Sequence, residues 1–142
     1  LYEHSVRVPL VIRGPGVGRG QRAGGFVYLL DVFPTLCELA GLAVPPEVEG
    51  RSLVPMIRNP RVRPRDSVFY AYRDVQRGVS DGRWKLIVYR VAGRETVQLF
   101  DLGQDPWEQH NLAESNAGRV RRMRELLKDW QSRTDDPGWT AS

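Results

Sequence analysis

Cysteine, methionine and lysine are scarce in this 142-residue chain. Cys37 is the single cysteine, so no disulfide can form within the chain and a cysteine-stapled scaffold is excluded. Lysine stands only at positions 85 and 128, against nineteen arginines. No apolar run approaches the roughly 20 residues that cross a bilayer, so no membrane partner is expected. A collagen-like glycine period is missing, and 41% apolar content is too high for intrinsic disorder. The opening, Leu1-Tyr2-Glu3-His4, has neither a methionine nor the apolar core of a signal peptide. It reads as a segment of something longer.

The length suits one domain with a core of its own. Net charge is +4, with a sequence pI near 9.6. The densest basic stretch, Arg58 to Arg94, holds ten basic and three acidic residues. An acidic stretch follows, Glu95 to Glu114, with five acids and no Lys or Arg. Segregation of this kind marks solvated faces or patches with different neighbours. The arginines are scattered among strand and loop residues, so preferential use of arginine codons explains them more simply than a nucleic-acid partner.

Periodicity divides the chain near residue 66. Val6 to Arg13 contains the apolar run Leu10-Val11-Ile12 and predicts a strand buried on both faces, stopped by Gly14-Pro15-Gly16. Glycines 14, 16, 18 and 20 follow. No Gly-Lys-Ser/Thr and no dinucleotide spacing accompany them, so the segment reads as a flexible turn. Val32 to Ala40 predicts a helix N-capped by Asp31 and ended by Gly41, with Phe33, Leu36, Leu39 and Ala40 on one face and Cys37 buried. The proline-rich residues 42–64 read as loop, with a short apolar patch at Leu53-Val54. Beyond residue 67 the period is two. Strands are expected at 68–72, 78–80, 84–91 and 96–102, turning at Asp81-Gly82 and at Ala92-Gly93-Arg94. They form an antiparallel meander with one face free for a helix. That helix is expected at about 117–132, with Val120, Met123, Leu126, Leu127 and Trp130 as its stripe, followed by a frayed polar tail.

Five stretches together resemble the type I sulfatases. They are Tyr2 to Ile12 with Gly14-Pro15-Gly16, then Asp31 to Leu42, and then Glu49-Gly50-Arg51-Ser52-Leu53-Val54-Pro55. Gly82 to Ile87 and Leu99 to Leu112 complete the set. The resemblance implies the C-terminal part of an alkaline-phosphatase-like α/β fold. Residues 1–66 would complete the catalytic domain, and residues 67–142 would form an α+β subdomain of antiparallel sheet plus C-terminal helix. It implies a parent enzyme that hydrolyses sulfate esters of a small molecule or glycan, using a formylglycine made in a Cys/Ser-x-Pro-x-Arg motif beside a bound calcium. Periplasmic, secreted or lysosomal placement is usual for that family.

Cys37 does not stand in the modification motif, since Leu39 and Gly41 occupy the positions of its proline and arginine. The family's nucleophile, calcium ligands and catalytic Lys and His all fall before this segment, so the chain itself is expected to lack activity. Asp101 and Asp105 lack the surroundings of a calcium loop and read as turn residues, and His110 as a solvated one. Substrate-side candidates that the resemblance implies are His4, Arg7, Tyr72, Arg73, Gln76 and Arg77. The last four read as an exposed loop suited to an anionic sugar or aryl sulfate. Ordinary surface and ion-pair roles are the competing reading. Two other functions remain open: a phosphonate or phosphate monoester hydrolase of the same superfamily, and a non-catalytic interaction module. A fragment exposing Leu10-Val11-Ile12 is expected to self-associate.

Overall fold

A computed structural model describes residues 1–134, 136 and 139. The chain forms two compact units: Leu1–Pro9 with everything from Ser67 onward, and Leu10–Asp66. The first nine residues therefore pack with the sheet, on the far side of the division at residue 66.

The first unit is a four-stranded antiparallel meander in the order β1-β2-β3-β4. Its strands are β1 Val68–Tyr72, β2 Gln76–Ser80, β3 Trp84–Val91 and β4 Arg94–Asp101. The expected pattern is present, with β2 and β4 each starting two residues early. The turns follow from the residues in them. The Asp81 carboxylate accepts the N–H groups of Arg83 and Trp84, and Gly82 takes φ +94°. Ala92 and Gly93 both have positive φ, at 50° and 74°, so a two-residue turn joins β3 to β4 with the twist hairpins favour.

Register fixes what each face carries. Val79, Leu86 and Leu99 stand side by side across three strands, and Val88 lies one pair along. The helix α4, Ala117–Thr134, lays Met123 and Leu127 on that face. Phe69 and Trp130 stack there at 5.3 Å. Each such buried side chain contributes roughly 1.5–3 kcal/mol. The opposite face carries Tyr70, Lys85, Ile87, Gln98 and Phe100, and the N-terminal residues with their single helical turn α1, Glu3–Val6, pack on it. Both faces of the sheet are thus covered.

The frayed tail is corrected in part. Trp139 is buried, its indole N–H donates to the Asp74 carbonyl at 3.1 Å, and the guanidiniums of Arg77 and Arg90 lie over its ring. A large ring with a polar handle outweighs the polarity of its neighbours. The other tail residues, 135, 137, 138 and 140–142, lie outside the described residues.

The second unit corrects two further expectations. The strand expected over Val6 to Arg13, which straddles the two units, is absent: Val6 ends α1, and residues 7–13 find no pairing partner among the described residues. Leu10 and Val11 are exposed. The expected helix is present as α2, Val32–Leu39, but it buries Pro34, Thr35 and Cys37. Phe33, Leu36 and Leu39 face solvent. The buried side is chosen by hydrogen bonding: Thr35 Oγ1 accepts the Leu53 N–H at 2.8 Å and donates to the Asp31 carbonyl. Leu53-Val54 opens a short helix, α3 Val54–Arg58, where a loop is expected.

Candidate functional site

The residues singled out by sequence fall in the first unit, and the structure gives them unequal roles. His4 is exposed and stacks on Tyr2 at 5.8 Å, and Arg7 is exposed just beyond α1. Tyr72 and Gln76 face each other at the β1–β2 hairpin, on the face that α1 covers. Gln76 Oε1 accepts from the Leu1 ammonium at 3.3 Å. Arg73 sits in the hairpin turn with φ 47°, its guanidinium 5.3 Å from the Tyr72 ring.

Arg77 departs from the expected exposed loop. It lies inside β2 and only 6% of it is exposed. Its Nε and one terminal nitrogen grip Asp136 bidentately at 2.6 and 2.7 Å. The other nitrogen donates to the carbonyls of Arg73 and Gln76. Arg77 therefore has no fork left for a ligand, and it holds in place the turn that presents Arg73. A β-strand position facing a helix buries its side chain whatever its charge.

The site that sequence reasoning missed lies on the α1 face. Lys85 is fully buried, with Nζ 2.9 Å from Glu3 Oε1 and 3.0 Å from Glu108 Oε1. The second contact is a charge contact without hydrogen-bond alignment, which leaves Glu108 Oε1 with no donor among the described residues. The other Glu108 oxygen accepts the Glu3 N–H. Tyr2 completes the seam: its hydroxyl donates to Gln98 at 2.8 Å and its ring tilts against Phe100. Burial, followed by hydrogen bonding to Tyr2, pushes the Tyr89 phenol well above its usual range. Glu3, Lys85 and Glu108 come from three of the five motif stretches. The available signal was a rare lysine between apolar strand residues.

The remaining two stretches meet in the second unit. Asp31 is buried and holds Arg65 bidentately at 2.6 and 2.7 Å, while also accepting the N–H groups of Arg51 and Tyr28. A Cβ at Gly50 would strike the Leu30 carbonyl, so only glycine lets the Glu49–Arg51 segment pass this close. Asp31 does not cap α2 through its side chain, as expected from sequence; the carboxylate serves the preceding turn.

Two carboxyl groups link these networks to pH. Burial works against the charged form of Asp31, but the Arg65 hydrogen bonds and the two backbone N–H groups outweigh it and hold its pKa below the usual range. Hydrogen bonds from Arg77 do the same for Asp136, over the opposing effect of burial. A depressed folded-state pKa gives stability that is present above the unfolded value, about 4, and is lost as pH falls through the folded one. The thermal midpoint should therefore be flat from about pH 7 to 5 and fall below about pH 4. Asp31→Asn should be less stable at neutral pH, with the gap to wild type closing in acid. Calorimetry across that range checks this; a constant gap would refute it.

A calcium ion does not fit the candidates here. Asp101 is taken by Arg83 and the Gly103 N–H, and Asp105 caps the His110 N–H. Both belong to a turn, as expected, and the His110 ring is largely exposed. Among the described residues no three His, Cys, Asp or Glu side chains cluster to hold a metal. No described helix is long and apolar enough to cross a membrane.

Comparison with known proteins gives these elements a context. A family model for the C-terminal part of N-sulphoglucosamine sulphohydrolase matches residues 1–133. Arylsulfatase K of Xenopus laevis is 33% identical over 100% of this chain and 28% of its own length. A choline-sulfatase of Rhizobium meliloti is 39% identical over 84% of this chain and 24% of its own. A solved 2-O GAG sulfatase superposes with a TM-score of 0.69 at 32% identity, over 87% of this chain and 29% of that one. Phosphonate monoester hydrolase from Silicibacter pomeroyi superposes with a TM-score of 0.70 at 22% identity, over 85% of this chain and 28% of that one, which shows a shared fold alone. The chain thus spans under a third of the length of these relatives.

Proposed function

The chain belongs to the sulfatase family as the C-terminal portion of its alkaline-phosphatase-like α/β fold, and we propose that the longer polypeptide hydrolyses sulfate esters. The observation that carries this is the match of a sulfatase C-terminal family model to residues 1–133, with the five motif stretches meeting in the Glu3–Lys85–Glu108 network and around Asp31. The motif residues Glu3, Lys85, Glu108 and Asp31 are each spent on joining their own unit together. The formylglycine nucleophile and the calcium belong, in this reading, to the part of the polypeptide outside this chain. The described residues supply neither.

This segment's contribution to substrate is an anion contact. Arg73 is the arginine free to make it, held by the Arg77 bond to its carbonyl, with Tyr72 and Gln76 beside it. His4 and Arg7 are exposed polar groups in and just after α1, on the N-terminal segment whose Leu1 ammonium reaches Gln76. An arginine fork matches two sulfate or carboxylate oxygens, and such charge-assisted bonds contribute about 1.5–3 kcal/mol.

Steady-state release of sulfate from an aryl sulfate and a sulfated sugar tests the reading. The full-length polypeptide should turn both over, and residues 1–142 alone should match buffer. Arg73→Ala should raise KM for the sulfated sugar about tenfold to hundredfold, leaving kcat and the aryl sulfate unchanged. Arg77→Ala should instead lower stability. Turnover of a phosphonate monoester without sulfate release would overturn the activity. Calcium-dependent hydrolysis by residues 1–142, abolished in Cys37→Ala, would overturn the location of the nucleophile.

A further inference from the structure

Between His4 and Leu30 the sequence holds no Asp or Glu, yet it carries Arg7, Arg13, Arg19 and Arg22. Part of this acid-free run lies in the second unit, where residues 12–20 curl around a cavity of about 670 Å³. That volume is within the range of ligand sites, about 300–1,000 Å³. Arg13 and Arg19 are its only charged lining residues, and both are exposed. Among the described residues the arginine and lysine ion pairs involve Arg65, Arg77, Arg83, Lys85, Arg90 and Arg124, and neither of these two. The Val17 N–H closes a turn on the Gly14 carbonyl at 3.2 Å, and Gly14, Gly18 and Gly20 share the cavity wall with Ile12, Pro15 and Val17.

We infer that this loop binds a sulfated glycan chain, with Arg13 and Arg19 each gripping a sulfate group. Two guanidiniums with no carboxylate in the cavity lining keep their full charge for a ligand, and each fork matches the oxygens of one sulfate. Gly14 and Gly20 have open space where a side chain would stand, which leaves room for a sugar ring. The choice of a sulfated glycan over a nucleic acid rests on the sulfatase reading above. Exposure of both arginines makes the binding salt-dependent, because the ligand's condensed counterions are released.

The test uses the full-length polypeptide and a fluorescent heparin-derived hexasaccharide, read by anisotropy at two salt concentrations. Arg13→Gln/Arg19→Gln should weaken binding at least tenfold and flatten the salt dependence. Its kcat and KM on a small aryl sulfate should not change. Arg121→Gln/Arg122→Gln removes the same charge from the exposed side of α4 and should stay within twofold of wild type. Equal losses in the two double variants would mean diffuse charge attraction and overturn the site, as would no loss in the first. Single-stranded RNA binding as tightly, with the same dependence on Arg13 and Arg19, would overturn the glycan assignment. Hexasaccharide binding that Arg13→Gln/Arg19→Gln abolishes, in a protein that releases no sulfate, would support the loop site while refuting the sulfatase activity.

Discussion

Lys85→Met should cost the chain about 3–5 kcal/mol, because it removes the one cation between two carboxylates on the α1 face of the sheet. Methionine keeps the length of the stem and the packing against Tyr70, over whose ring Lys85 Nζ lies at 5.2 Å. It leaves Glu3 and Glu108 facing each other. The Glu108 side chain is 1% exposed, and only one of its oxygens has a hydrogen-bond donor among the described residues, the Glu3 N–H, so solvent cannot take over the role of Lys85. Total stabilities run at about 5–15 kcal/mol, so the loss is a large share of the whole. The measurement is urea denaturation followed by tryptophan fluorescence, with a midpoint expected to fall by more than about 1 M. Adding Glu3→Gln and Glu108→Gln to Lys85→Met should recover most of it, since a neutral trio has no buried charge to strand. A loss below about 1 kcal/mol would place the trio among ordinary surface pairs and refute its role in holding α1.

The contrast between Lys85 and Leu10-Val11-Ile12 shows what was legible in the sequence. The four strands were readable because alternation and turn chemistry are local: Asp81-Gly82 and Ala92-Gly93 fix two hairpins within a few residues. The α4 stripe was readable for the same reason, and Met123 and Leu127 lie in the core as its spacing predicts. Lys85 was not, because its burial depends on Glu3, 82 residues away, and on Glu108. No window of the sequence contains that pairing. Arg77 failed similarly: its placement in an exposed loop gave way once β2 began at Gln76 and Asp136 returned from beyond α4. For α2 the helix and its buried Cys37 were legible, but spacing alone did not say that Phe33, Leu36 and Leu39 face solvent. Asp31 and Thr35 had backbone N–H groups to satisfy on the other side.

Residues 1–142 on their own should associate at micromolar concentration. Leu10, Val11, Leu36 and Leu39 line an apolar groove of about 230 Å³ in the second unit, and Val11 and Leu36 are 88% and 59% exposed. The parts of these four side chains still exposed, if buried, would contribute about 4–7 kcal/mol per copy. Two copies facing each other set that gain against an association cost of about 4–15 kcal/mol. Residues 7–13 add backbone that lies outside any helix or strand, which invites strand pairing between chains. Light scattering should show dimers or larger species, dissociating in Val11→Lys/Leu36→Glu, where two charges would have to be buried unpaired. In the full-length polypeptide we expect the same patch to be covered, so amide exchange across residues 8–13 should slow by orders of magnitude relative to the isolated chain's monomeric variant. A monodisperse monomer of residues 1–142, with those amides already protected, would show that the chain closes the groove by itself and would sink the prediction.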